Sequence, residues 1–233
     1  MKAVALVERV DHVCVRYRLA PYATALGLEI VPFATSLFSR LKQFQSLSKY
    51  DSVILQRTLL SSFELRVLRK HVKRLIFDFD DAIWLRDSYS KSSYSRKRLR
   101  RFANVIHQAD RIVAGNDFLV ASAARFTPRE RIDVVPSCVD VDSYMTPTKP
   151  ERDPQLVWVG SSSTLRSLEA MRPTLATIGQ QFPGVRLKIL CDRFADFNPL
   201  PVECVTWSET TEAAEIASAD IGIAMMPDDD WSR

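Results

Sequence analysis

The sequence of 233 residues lacks the marks of membrane and secreted proteins. Its longest apolar runs, such as residues 4–7 and 156–159, are far shorter than the roughly 20 residues that a membrane-spanning helix needs. The N-terminus has no basic segment followed by an apolar stretch, so no secretory signal is predicted. We therefore expect a cytoplasmic protein, and contact at the inner face of a membrane stays compatible with the sequence.

Cysteine and histidine are also too few and too scattered to form a metal site. The four cysteines, at positions 14, 138, 191 and 204, include no CxxC pair, and the three histidines have no ligand spacing. We expect neither zinc nor a disulfide framework, and we interpret the cysteines as buried free thiols. The sequence as a whole predicts no cofactor.

Glycine is scarce, with six residues in the whole chain. The sequence contains neither a Walker loop nor a GxGxxG turn, which are the glycine-rich elements that hold ATP or NAD. These two nucleotides are therefore disfavoured as ligands.

What the chain does contain is a regular alternation of strand-like and helix-like segments, typical of an α/β protein with parallel sheets. A proline-rich polar stretch interrupts this alternation. We predict two Rossmann-like domains, at residues 1–145 and 155–233, joined by a linker at 146–154. The second domain has only about four predicted strands, whereas a doubly wound domain usually has five or six, so we expect it to be incomplete. The predicted strands are residues 3–7, 29–32, 51–56, 74–78, 111–114, 131–135, 156–160, 186–191, 204–207 and 221–225. The predicted helices are residues 19–26, 38–47, 62–71, 95–108, 117–125, 165–181, with a kink at Pro173, and 212–218.

One candidate ligand site is the segment VWVGSSST, where a strand enters a turn at Gly160. Free backbone N–H groups at the following helix start, with the hydroxyls of Ser161 and Thr164, can hold a phosphate, and Arg166 lies in the first helical turn. The alternative is that one of the hydroxyl residues only caps the helix.

A second candidate is the segment FDFDDAIW, which places Asp78, Asp80 and Asp81 at the end of a predicted central strand. Such carboxylates can hold a divalent cation, bind sugar hydroxyls or act as acid and base. The alternative is that one caps the next helix while another pairs with an arginine. Arg16 and Arg18 follow the first strand and suit contacts with phosphate or carboxylate, although a solvated position explains them equally well.

A basic helix is the third candidate. Its positive charges could contact anionic lipid headgroups, although a charge run is most often a solvated face. No nucleic-acid motif accompanies the run, so nucleic acid is not predicted as a partner. The charged residues are Lys91, Arg96, Lys97, Arg98, Arg100 and Arg101.

In this order, the segments VRYR, FDFDDAIW, ADRIVAGN, IDVVPSCVD, VWVGSSST and ADIGIAMMPDDDWSR resemble those of the GT-B fold glycosyltransferases, in particular the family 4 group (glycosyl transferases group 1). The resemblance implies two Rossmann-like domains that close over a cleft, with the acceptor held by the first domain and a nucleotide-sugar by the second. It implies that Gly160, Ser161, Thr164 and Arg166 bind the donor. Its acceptor side would comprise Arg16, Arg18, Asp78, Asp80 and Asp81.

The resemblance predicts sugar transfer from a nucleotide-sugar to a glycan or lipid-linked acceptor, in surface polysaccharide biosynthesis. It requires no metal, because amides and cations stabilise the leaving group. The paired glutamates of the family would lie beyond Arg233, so we expect a C-terminally truncated chain that binds donor poorly and turns over little. The alternative is a non-catalytic α/β binding module, or inactive fragment, whose basic helix contacts an anionic surface or partner.

Overall fold

The computed structural model describes residues 2–144 and 152–232. Internal contacts divide these residues into two units: residues 2–139 with 228–232, and residues 140–144 with 152–227. Most of the predicted linker, from residue 146 to 151, lies outside the described residues, as does Arg233. In the described part of the chain no helix is long and apolar enough to cross a membrane.

The first unit is built around a parallel sheet of six strands, in the order β2-β1-β3-β4-β5-β6. The neighbours of β1 are β2 and β3, so the strand order reverses between β1 and β3. The elements are β1 (Ala3–Val7), α1 (Val13–Arg18), α2 (Ala20–Leu26), β2 (Leu28–Pro32), α3 (Leu37–Ser46), β3 (Ser52–Gln56), α4 (Ser62–His71), β4 (Leu75–Phe79), α5 (Arg96–Gln108), β5 (Arg111–Ala114), α6 (Asp117–Ala123) and β6 (Ile132–Val134).

Helices cover both faces of this sheet. Successive side chains of a strand point to opposite faces, and β1 accordingly contributes Val4 and Leu6 to one core and its alanines to another. The larger core contains buried side chains of α3, α4, α5 and α6, while the smaller one contains Val15 of α1 and Leu19. The first unit is therefore a doubly wound α/β unit, in which ligands bind outside the carboxyl ends of the strands where the order reverses.

The second unit has a smaller parallel sheet of four strands, in the order β10-β7-β8-β9. Its core gathers apolar side chains of β7, α7, α8 and β8, including Trp158 and Ile189. The elements are β7 (Gln155–Val159), α7 (Leu165–Ala170), α8 (Arg172–Gln181), β8 (Arg186–Cys191), β9 (Val202–Thr206), α9 (Glu212–Ser218) and β10 (Ile221–Gly222).

The prediction of two α/β units with parallel sheets, the second one smaller, is confirmed. Most predicted strands agree with the observed ones within two residues. The last one is much shorter than predicted, because only Ile221 and Gly222 pair with β7. The long helix predicted at residues 165–181 is two helices, with Pro173 in the first turn of α8, where a missing N–H costs no hydrogen bond.

Two expectations are corrected. No helix is predicted before residue 19, but α1 occupies Val13–Arg18 with His12 as its N-cap, so Arg16 and Arg18 are helical. Cys138 and Cys204 are exposed, and only the other two thiols are buried. Trp231, near the C-terminal end of the described residues, packs against the main core of the first unit.

Candidate functional site

A cavity of about 590 Å³ opens at the carboxyl edge of the first unit's sheet. Its wall includes Glu8, directly after β1, residues 33–35 after β2, and residues 57–59 after β3. The strand order reverses between β1 and β3, so the cavity lies where an open α/β sheet offers its ligand crevice. Its volume is that of a small-molecule site.

The cavity wall is strongly cationic. Its one carboxylate is Glu8, which is exposed. The five positive side chains are Arg40, Arg57, Lys97, Arg98 and Arg101.

Two of these cations are already neutralised by carboxylates. Arg40 donates from Nη1 to Glu64 Oε1 over 2.6 Å, and Glu64 is held in place by the capping box that it forms with Ser61 at the start of α4. Arg57 donates to Asp80 Oδ1 over 2.9 Å and to Asp81 Oδ2 over 2.5 Å. Burial alone would lower the pKa of the Arg57 guanidinium, but Asp81 and Asp80 outweigh it, and the pKa is raised.

Arg57 also has an unusual backbone conformation. Its φ of 54° lies in the left-handed region, which residues other than glycine seldom occupy. Its N–H donates to the carbonyl oxygen of Asp78 over 2.8 Å. The residue that follows β3 is therefore held against the end of β4, where its guanidinium bridges two neighbouring aspartates.

The other three cations, all on α5, have no carboxylate partner in the described part of the chain. Lys97 is exposed, whereas Arg98 and Arg101 are half-buried. Arg98 donates from Nε to the carbonyl oxygen of Ile83 over 2.9 Å, and Arg101 donates from Nη1 to that of Leu59 over 3.3 Å. Burial lowers the pKa of the Arg98 guanidinium, and nearby Arg86 adds to the effect. The carboxylate of Asp87 acts in the opposite direction but does not outweigh these two effects, so a partly desolvated positive charge remains here.

The charge pattern of α5 runs against its own dipole. Its N-terminus begins with three consecutive basic residues after the Ser95 cap, and its first turn has no acidic residue. The positive end of a helix dipole disfavours cations there by about 0.3–1 kcal/mol each. Local helix stability does not explain this placement, so the positive potential at this end of α5 calls for another explanation.

Arg18 and Asp78, two of the residues predicted on the acceptor side, form a buried ion pair. Arg18 donates to Asp78 from Nη2 over 2.5 Å, and their side chains are 2% and 6% exposed. Arg18 also reaches the carbonyl oxygen of Val135 over 2.7 Å, and Gln56 donates to Asp78 over 3.2 Å. These contacts tie α1, β3, β4 and the segment after β6 together, which gives the pair a structural role.

The structure also brings Asp80 and Asp81 together, through Arg57. The two are half-buried at the end of β4. Arg16 is half-buried, and its guanidinium lies 5.0 Å from the ring centroid of Tyr17. Within the described residues no group of three or more His, Cys, Asp or Glu side chains could hold a metal ion.

In the second unit, three of the predicted donor-side residues meet in one turn between β7 and α7. Thr164 Oγ1 accepts from the N–H of Ser161 over 3.0 Å and donates to its carbonyl oxygen over 3.1 Å. Gly160 is required for packing, since a Cβ there would lie 2.4 Å from the Trp158 ring. Arg166 is exposed on α7.

A carboxylate already occupies part of this turn. Asp192, directly after β8, accepts from the N–H of Ser162 over 2.6 Å. This interaction with Ser162 holds the pKa of Asp192 below its ordinary value, so the side chain is anionic at neutral pH. The turn gathers the hydroxyls and amides expected of a phosphate cradle, but it also carries a negative charge that opposes a phosphate.

Sequence reasoning missed the residues that shape the first unit's cavity. Glu8, Arg40 and Arg57 stand alone in the sequence, and none belongs to a recognisable motif. A signal was present for Glu8 and Arg57, because each follows a predicted strand directly, as binding residues of parallel sheets do. The basic helix was recognised, but its separation into cavity-lining and outward-facing charges depends on the rotation of α5.

The comparisons with known proteins find relatives in structure alone. No protein-family model matches the chain. The search of curated proteins likewise finds no match. Among solved structures, a glycosyltransferase from Rickettsia africae superposes with a TM-score of 0.61 at 12% identity, over 95% of this chain and 72% of that one.

Two further solved structures are similar. S. aureus MnaA, determined with UDP, gives a TM-score of 0.56 at 14% identity, over 93% of this chain and 71% of that one. TarM gives 0.55 at 8% identity, over 73% of this chain. The chain has a GT-B-like fold. It spans 35% of the length of TarM, and the predicted resemblance to GT-B proteins is confirmed at the level of the fold.

Proposed function

We propose that this GT-B-like chain is a glycosyltransferase that moves a sugar from a nucleotide-sugar donor to a glycan or lipid-linked acceptor in surface polysaccharide biosynthesis. The observation that carries the proposal is the structural similarity to the Rickettsia africae glycosyltransferase over 95% of the chain. Support also comes from the polar cavity of the first unit, which lies at the carboxyl edge of its sheet.

The donor would be bound by the turn after β7. Gly160 allows the close approach of the turn to Trp158, while Ser161 and Thr164 supply hydroxyls beside the free end of the strand. Arg166, on the exposed side of α7, would balance the charge of a diphosphate. MnaA, which shares this fold, was determined with UDP, and this supports a nucleotide as ligand here.

The acceptor would be bound by the first unit. Arg16, Asp80 and Asp81 remain candidates for contacts with it, together with the cavity wall. Arg18 and Asp78 would hold this part of the unit in place and would not contact the acceptor directly, because both side chains are buried. Lys91, Arg96 and Arg100 do not line the cavity and are exposed, so we assign to them peripheral contact with the inner face of a membrane.

The test is nucleotide binding by the purified chain. A ligand that binds only the native state raises the melting temperature, so a panel of UDP-, GDP-, ADP- and dTDP-sugars should contain one that stabilises the protein. Arg166→Gln should reduce that stabilisation. Arg186→Gln is the matched control, because Arg186 is exposed at the opposite end of β8 from the turn. Stabilisation by none of the four, or equal losses in both variants, would contradict the donor site.

A non-catalytic binding module is the second candidate, favoured by the Asp192 carboxylate on the amide of Ser162. Transfer of a radiolabelled sugar to extracted lipid or glycan separates the two functions. Incorporation of label supports the transferase. Nucleotide binding without incorporation, with any acceptor fraction, would support the binding module.

A further inference from the structure

We propose that the cavity of the first unit binds a phosphate group, so that the acceptor of this protein is a phosphorylated molecule. The inference rests on the proposed function in so far as it calls the ligand an acceptor. The phosphate site itself rests on the residues of the cavity.

Charge selects the chemical class of the ligand. Arg40 and Arg57 are neutralised by Glu64, Asp80 and Asp81, which leaves Lys97, Arg98 and Arg101 facing a single lining carboxylate. Like charges that lie close together repel one another, and Arg98 is half-buried, so solvent screens its charge less than that of an exposed side chain. A dianion such as phosphate removes the repulsion, whereas a neutral sugar does not.

The geometry of α5 brings the three cations to one side of the helix. Positions 97 and 101 are four residues apart, and positions 98 and 101 are three apart, so their side chains are neighbours on the helix surface. Arg98 uses only Nε in its bond to Ile83, and Arg101 uses only Nη1 in its bond to Leu59. Each guanidinium is thus fixed in place by a carbonyl group and retains further N–H donors, which suits the oxygens of a phosphate.

The cavity is larger than a phosphate ion and has both apolar and hydroxyl surfaces. Phe33 and Leu59 contribute the apolar part, and Thr35 and Thr58 the hydroxyl groups. A volume of about 590 Å³ accommodates a phosphate together with a polar body of about the size of one or two sugar rings. The ligand class is therefore a phosphate ester, either a soluble sugar phosphate or the head of a phosphorylated lipid.

The experiment measures phosphate binding directly. Inorganic phosphate and glucose 1-phosphate are titrated into the full chain at low salt by calorimetry. Lys97→Gln with Arg101→Gln should weaken binding about tenfold or more, because two charge-assisted contacts are lost. Arg96→Gln with Arg100→Gln removes the same charge from the same helix outside the cavity, and it should change the affinity less than about twofold, since exposed charges act weakly at a distance.

Folding is controlled by a second variant. Arg101→Gln loses the bond to Leu59, whereas Lys97→Gln disturbs no hydrogen bond or ion pair among the described residues. Lys97→Gln alone should weaken phosphate binding severalfold at an unchanged melting temperature. Equal losses in the cavity and control double variants, or no binding of either phosphate probe, would overturn the proposal.

Vesicles identify the source of the phosphate. A lipid head is indicated if the protein cosediments with phosphatidic acid vesicles and not with phosphatidylcholine vesicles. This cosedimentation must also be lost in the cavity double variant and kept in the control double variant. Binding of glucose 1-phosphate without cosedimentation indicates a soluble ester, and either result supports the phosphate site. If phosphate binds and no sugar is ever transferred, only the proposed function fails. If transfer proceeds equally in both double variants, only this inference fails.

Discussion

The two units present the same kind of sheet edge with opposite chemistry. In the first, the residues after the strands and the start of α5 gather more cations than carboxylates around an open cavity. In the second, the residues after β7 and β8 form a compact turn whose hydroxyls bond to one another and whose Ser162 amide holds Asp192. The first edge carries more cations than carboxylates, whereas most polar groups of the second edge form hydrogen bonds with one another.

This difference shows why a shared fold does not assign a shared ligand. Both edges follow from parallel βαβ connections, which direct loops to the carboxyl ends of the strands. What each edge binds depends on which charges remain after internal pairing. The first unit retains cations, and the second retains a carboxylate, so an anion meets attraction at one edge and mixed charge at the other.

The largest effect is expected for Asp78→Ala in the first unit. The substitution leaves the Arg18 guanidinium buried without its carboxylate, and breaking a buried pair costs about 3–5 kcal/mol of unfolding free energy. Urea denaturation measures the loss. Asp133→Ala is the matched control, because its Arg111 pair is 34% and 50% exposed and such pairs contribute at most about 1 kcal/mol. Losses of equal size in the two variants would show that Arg18 and Asp78 are solvated.

Gly160→Ala tests whether the turn of the second unit depends on packing. The new Cβ would lie 2.4 Å from the Trp158 ring and 2.7 Å from Thr164 Oγ1, and such crowding costs about 1–3 kcal/mol. Gly222→Ala, in the same sheet, meets nothing within 4 Å and should change the stability by less than about 0.5 kcal/mol. Thermal denaturation compares them. A Gly160 variant as stable as the Gly222 variant would mean that the turn relaxes freely.

This steric result limits what a glycine substitution says about function. Loss of nucleotide binding in a Gly160 variant would follow from distortion of the turn as readily as from loss of a donor contact. The replacement of a charge on an exposed side chain is the sharper experiment, because it changes the electrostatics and leaves the packing intact.

The layered fold was predictable because strands and helices differ in apolar period. Residues 3–7 and 111–114 are strands as predicted, since short apolar segments that contain valine or isoleucine and are bounded by polar residues favour strands. The helix at Val13–Arg18 was missed, because its start depends on His12 Nδ1 accepting from the N–H of Cys14, and histidine is not among the residues commonly found at an N-cap.

The pairing of charges was less predictable than the fold. The sequence indicated that Asp78, Asp80 and Asp81 lie at a strand end, but which arginine neutralises each depends on contacts 23 to 60 residues apart. Arg57 could not be recognised as the partner of two aspartates, because nothing in its local sequence indicates that its backbone adopts the left-handed conformation. Long-range pairing of this kind follows from strand register, which a single sequence does not state.

A smaller effect is expected for Asp192→Asn. The asparagine oxygen can still accept from the amide of Ser162, so the turn keeps its shape while it loses a negative charge. If a nucleoside diphosphate binds there, its affinity should rise severalfold, because like-charge repulsion is removed. Calorimetry with the nucleotide identified in the panel measures the change. Unchanged or weaker binding would place the diphosphate away from this turn.

The smallest perturbation is chemical labelling of thiols, which compares the two edges without any substitution. Burial, with the Asp80 carboxylate adding to it, raises the pKa of Cys14 in the first unit to about 12. Burial likewise raises the pKa of Cys191 in the second. A thiol reagent acts on the thiolate, so at pH 8 only the exposed Cys138 and Cys204 should react rapidly in the native protein, and all four after unfolding.

The same shift sets the direction of a pH effect. In the unfolded chain Cys14 ionises near its ordinary pKa of about 8.5, while in the native protein it stays protonated up to about 12. The unfolded state therefore loses its proton first, and the contribution of Cys14 to the unfolding free energy falls as the pH rises through this interval. Cys14→Ala should flatten that part of the stability profile, measured by denaturation at successive pH values. Rapid labelling of Cys14 at pH 8 would instead show that the first edge opens to solvent far more readily than its buried ion pair implies.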